Sequence, residues 1–258
     1  MISLTDAQII ALVDSWLWPF LRVSALVMAA PIIGTRTVPM QIRASLALLI
    51  TAVLVPVVPR TGVIDAFSPE GIATCVAQVL TGVGIGLALR LIFMVMEVAG
   101  QIIAQQMGLG FAALIDPQSG AQVPVISQFY IIMATLLFLS VNGHLLMIEV
   151  LANSFDLIPI SVESIGRGGL MAVVDWAGSL LAIAVQMSLP VIVALLVVNV
   201  ALGVMGRAAP QLNIIAVGFP IMIVFGVAVA IVSLASLDEY FTALMETAFM
   251  TVNLMLAG

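Results

Sequence analysis

The sequence predicts an all-α, polytopic helical membrane protein, and three observations carry that reading. Hydrophobic residues make up 63% of the 258-residue chain, mean hydropathy is +1.30, and only 8% of residues are charged, against about 25% in an ordinary soluble domain. The apolar residues fall in long runs, each able to cross about 30 Å of hydrocarbon as a helix. Those runs are continuous rather than alternating over about ten residues, which argues against a β-barrel.

Six main hydrophobic segments are expected near 9–31, 42–59, 72–96, 125–152, 177–203 and 214–237, with a last helix near 239–257. Prolines and glycines punctuate them, at Pro31 and Gly34, Pro56 and Pro59, Pro117 and Gly120, Pro159, Gly166 to Gly169, and Pro210. The first segment lacks a basic leader and carries Asp6 and Asp14 early, so it is expected to stay in the mature chain. Asp14 and Arg22 lie two turns apart on broadly one helix side, with Pro19 between them as an expected kink. The third segment holds Gln78 and Arg90, with Glu97 at its end. Gly82 and Gly86 within it match small-xxx-small spacing, which serves packing inside the chain and contact between subunits equally well.

The fourth segment contains Asn142, Gly143, His144 and Glu149, and the fifth contains Gln186, Pro190 and Asn199. Each charge at mid-membrane depth costs about 2.5–3.5 kcal/mol on insertion scales. A subunit shielded inside a larger assembly therefore fits better than a bundle facing lipid alone. The interval 153–176 is expected to be a loop, and no soluble domain is long enough to fold separately, so residues 1–258 read as one integral membrane domain. In the last helix, positions 241, 244, 248, 252 and 255 follow helical spacing, and Glu246 disfavours a plain span. If the first segment starts outside, the loops with Arg36 and Arg207 face the cytoplasm.

Enzyme signatures are absent. A single histidine and a single cysteine exclude a zinc cluster within the chain, and H-E-x-x-H, G-x-S-x-G and the P-loop pattern are missing. Neither catalysis nor a cofactor or metal is expected. His144 reads as a structural hydrogen-bonding residue, with a contact in a complex or a proton relay as alternatives. Cys75 reads as a small packing residue and excludes an internal disulfide. All seven basic residues are unclustered arginines, so nucleic acid has no footprint, and the thirteen acids behind the net charge of −6 are scattered. Broken helices and midplane polar groups also suit a small secondary transporter, which stands as the second reading, although no inverted repeat is evident.

The stretch QIIAQQMGLGFAALIDPQSG, residues 101–120, departs from the apolar background. Gln101 and Gln105 lie one turn apart and would show both amides on one side of a continuing helix. Gln106 and Met107 follow, then Gly108, Leu109 and Gly110, whose glycines can break the helix. The short apolar run Phe111, Ala112, Ala113, Leu114 and Ile115 ends at Asp116 and Pro117, a turn-initiating pair. Irregular backbone at membrane depth is tolerated only inside protein or beside a water-filled cavity. Two readings stand: a surface loop between spans, or a re-entrant, pore-facing loop with an apolar plug of Met107, Leu109 and Phe111.

Four blocks in order resemble the FliR/SctT export-gate family of type III secretion. They are FLRVSALVMAAPIIGTRTVPMQIR (20–43), GQIIAQQMGLGFAALIDPQSG (100–120), NGHLLMIEVLANSF (142–155) with Pro159, and LPVIVALLVVNVALGVMGRAAPQLNIIAVGFPI (189–221). The last block, with Arg207, Pro210, Gln211, Asn213, Gly218, Phe219 and Pro220, is the most specific. The resemblance implies a core subunit of the flagellar protein export gate, in the bacterial inner membrane within the basal body. It implies one copy assembling with FliP- and FliQ-type subunits into a helical, pore-forming core, with FlhB and FlhA associated and unfolded export substrates passing through. The injectisome homologue is the neighbouring branch. A plug loop is implied at about 106–120, projecting into the lumen, with Arg36, Arg43, Gly82, Gly86, Arg207, Gln211 and Asn213 as candidate subunit contacts. Much of such a core is lifted out of the bilayer, which would spare Asp14, Arg22, Arg90 and Glu149 from lipid.

Overall fold

A computed structural model describes residues 6–35, 37–59, 64–109, 124–209, 211 and 213–258. Every long element among them is an α-helix: α1 Asp6–Ala29, α2 Met40–Leu54, α3 Pro69–Gln106, α4 Val125–Ser140, α5 Gly143–Leu157, α6 Arg167–Ala208, α7 Ile214–Ser233 and α8 Leu237–Ala257. A short 3-10 turn, Leu234–Ser236, links α7 to α8. The all-α expectation holds.

The helices differ in length from the expected segments. α3 has 38 residues and α6 has 42, roughly 57 Å and 63 Å at 1.5 Å per residue. α7, the 3-10 turn and α8 continue one another, so 216–257 forms a third long helix. By length and apolarity three helices can cross a membrane, or four if α4 and α5 together make one broken span. α2, at 15 residues, reaches only about 22 Å. The expected loop at 153–176 shrinks to 158–166, because α5 and α6 extend into it from both sides. Gly168 and Gly169 do not keep α6 from starting at Arg167: Gly169 packs on the Met255 backbone of α8, where a Cβ would collide.

The chain divides into two compact units. The first comprises residues 1–91, 138–177 and 245–258. Here α1 and α2 form a hairpin, and α1 lies close on α3. Gly82 sits on the Arg22 carbonyl, and a Cβ built on Gly86 would come within 2.7 Å of Ala29 Cβ. The close approach foreshadowed by the glycine spacing is thus made inside this chain. α4 passes to α5 through Asn142, whose φ of 56° is the left-handed conformation that asparagine tolerates. Gly143 follows, where a Cβ would meet the Phe138 ring at 2.6 Å.

Arg22 is fully buried at the centre of this unit. Its Nε donates to Gln78 Oε1 of α3 at 2.8 Å. Nη1 donates to the Ser154 carbonyl at 2.7 Å and to Ser154 Oγ at 3.1 Å, and Nη2 donates to the Ile158 carbonyl at 2.8 Å. The Phe155 ring lies 4.2 Å from the guanidinium carbon. The two carbonyls belong to the C-terminal end of α5, where the helix dipole favours a cation; the Ser154 carbonyl also accepts from Ile158 N at 3.0 Å. Asp14, expected on the same side of α1, has Oδ2 buried without a hydrogen-bond partner among the described residues.

The second unit comprises residues 92–137 and 178–244. A Cβ on Gly100 would stand 2.6 Å from the Ser127 Cα, so this part of α3 and the start of α4 touch backbone to backbone. α8 belongs to this unit up to Leu244 and to the first unit from Met245 on. Its expected apolar stripe is buried throughout, with Phe241, Leu244, Ala248, Val252 and Met255 each at most 3% exposed, and Glu246 is exposed.

Candidate functional site

The described part of the candidate plug region is its first stem, the end of α3. Backbone bonds terminate the helix here: Gly108 N donates to Gln105 O at 3.0 Å, and Leu109 N donates to Ala104 O at 3.0 Å. With Gly108 at φ 81°, this is a Schellman cap, in which glycine takes the left-handed position that other residues occupy at a cost. Gly108 therefore breaks the helix as expected, by a defined motif.

Met107, expected in the plug, is fully buried. A Cβ built on Gly226 of α7 would lie 2.5 Å from Met107 Cγ and 3.0 Å from its Sδ, so the missing side chain of Gly226 makes the notch that Met107 fills. Leu109 is half-buried. Gln101 is half-buried, and its Nε2 donates to Glu97 Oε1 at 3.4 Å, while Gln105 and Gln106 are exposed. Gly110, Phe111, Ala112, Ala113, Leu114, Ile115, Asp116 and Pro117 lie outside the described residues. The chain returns at α4, where Ser127 Oγ is buried without a partner among the described residues.

The candidate subunit contacts fall into two groups. Gly82 and Gly86 are buried against α1, Arg43 Nε donates to the Val38 carbonyl at 3.0 Å, and Asn213 Oδ1 accepts from Ala216 N at 3.2 Å as the N-cap of α7. These residues have roles inside the chain. Arg207, in the last turn of α6, and Gln211 are exposed, and Arg36 lies outside the described residues. His144 is half-buried with Nδ1 unpaired among the described residues. No cluster of three or more His, Cys, Asp or Glu side chains suited to a metal occurs among the described residues.

Sequence reasoning missed the seat of Met107 and the network of Arg22. The first leaves a faint signal, a lone small residue in the bulky run IMIVFGV, residues 221–227. The second leaves none, since Ser154 is 132 positions from Arg22.

The chain has relatives over most of its length. A family model described as bacterial export proteins, family 1, matches residues 13–248. The chain is 37% identical over 228 residues to the flagellar biosynthetic protein FliR of Escherichia coli K12, covering 88% of this chain and 87% of the relative. It is 37% identical over 227 residues to that of Pectobacterium carotovorum, again 88% and 87%. Against the Bacillus subtilis protein of the same name it is 32% identical over 219 residues, 84% of each. With the match spanning the helices, both units and the stem of the 110–123 stretch, the chain belongs to the bacterial export proteins, family 1.

Proposed function

We propose that this chain is a component of the flagellar protein export apparatus in the bacterial inner membrane. In this reading it joins FliP- and FliQ-type subunits, with FlhB and FlhA associated, to line and close a conduit for unfolded export substrates. It performs no bond chemistry. The observation that carries the reading is the bare surface of the long helices. α6 is roughly twice as long as the hydrocarbon is thick, and its exposed apolar side chains run from Leu170 to Met205, roughly 52 Å at 1.5 Å per residue. Lipid can cover about 30 Å of such a helix; the remainder needs apolar partners. The names of the relatives favour the flagellar over the injectisome branch.

Closure is assigned to residues 106–120, with Phe111 and Leu114 excluding water and ions in the shut state. The Schellman cap and the seated Met107 support this by fixing where the stretch leaves α3. Deleting 108–119 is expected to leave the chain in its complex but to make the membrane leak ions, read as dye or potassium efflux from cells lacking substrate traffic. Ion-tight cells that still contain the complex would contradict the gate.

A further inference from the structure

From Gly71 to Leu91, α3 has six exposed positions: Ile72, Val76, Leu80, Val83, Leu87 and Arg90. Every other residue in that range is buried or half-buried. The intervals are four, four, three, four and three, so the six make one straight ridge. This is the alternation of a helix seam that receives a second helix. The five apolar members are between 38% and 60% exposed. The sixth is a cation, and the flanking sequence GIGLAL before it and LIFMVM after it has no charged or hydrogen-bonding side chain. The nearest hydrogen-bonding side chains along the helix are those of Thr81 and Glu97, roughly 13 Å and 10 Å away at 1.5 Å per residue.

We infer that this ridge is the docking surface for one apolar helix of another subunit, and that the helix presents an aspartate or glutamate level with Arg90. The inference rests on the hetero-oligomer reading above and adds its geometry. Charge decides the occupant. An arginine facing lipid in such a stretch costs about 2.5–3.5 kcal/mol even on the mildest scale. A second copy of this chain packed in parallel would set Arg90 against Arg90. A carboxylate on a partner helix removes both costs with a bidentate pair, the geometry for which the guanidinium is preorganised.

The test places a photocrosslinking residue at Leu87 in the full chain, in membranes that also carry the neighbouring export subunits, and maps the adduct. The expected product joins a helix of a different subunit with Asp or Glu within one turn of the linked residue. Arg90→Glu is expected to lower recovery of the complex at least tenfold, and reversing the mapped carboxylate to Arg to restore it. Arg90→Leu, which keeps the ridge apolar, separates charge from folding: it retains more complex than Arg90→Glu. Adducts with lipid or a second copy, a mapped helix without an acid, or failed rescue within an intact complex would overturn the ridge proposal alone. A chain that associates with no other subunit would overturn the hetero-oligomer reading together with it.

Discussion

Arg22 holds a full charge at the core of its unit, yet its hydrogen-bond acceptors are a side-chain amide, a hydroxyl and two carbonyls. The charge is distributed over the carbonyl end of α5 and the face of Phe155, an arrangement that a planar fork with five donors can serve and a point charge cannot. Arg22→Leu would leave Gln78 Oε1 and the Ile158 carbonyl without the donors that Arg22 supplies, while the Ser154 carbonyl would keep its bond from Ile158 N. A loss of about 2–6 kcal/mol is expected, at about 1–3 kcal/mol for each of the two orphaned acceptors, read as a lower melting temperature of the purified chain. Arg22→Lys should recover only part, since one ammonium cannot span the acceptors on α3 and at the end of α5 at once. A variant as stable as the parent would show that the network contributes little. The sequence marked Arg22 as a costly residue but pointed to Asp14, its neighbour on α1. The true acceptors lie 56 to 136 positions away, a distance that helical periodicity cannot bridge.

At the scale of elements, periodicity was most informative where one face of a helix meets the chain's own core. The stripe of α8 and the glycine face of α3 were legible for that reason. Helix ends were less so. α6 starts before the expected span, with Gly169, which looks like a breaker, packed on the Met255 backbone, and α7 runs on towards α8 through a 3-10 turn. The seat of Met107 was also hidden, because the notch at Gly226 exists only once α7 and the end of α3 are side by side. Filling that notch with Gly226→Val is expected to displace Met107 and destabilise the α3–α7 contact by about 1–3 kcal/mol, the range for overpacked cores. Met107→Ala in the same chain should return part of that loss, since coupled neighbours deviate from additivity by about 0.5–3 kcal/mol. Strictly additive melting shifts would mean that the two residues do not press on one another.

For the whole molecule, the apolar character visible in composition is spread over more surface than the chain itself can bury. Only 22% of the most apolar window in 216–257 and 28% of that in α6 is covered within the chain. Together with helices of roughly 57–63 Å, this describes a subunit shaped for neighbours as well as for lipid. The family relationship then supplies the identity of those neighbours as a proposal. Native mass spectrometry tests it most directly, after coexpression with the FliP- and FliQ-type proteins and purification through a tag on this chain alone. The expected result is a single mass series containing one copy of this chain and several copies of each partner. A chain that flies alone, or as a homodimer with no partner bound, would contradict the account and favour a self-contained transporter.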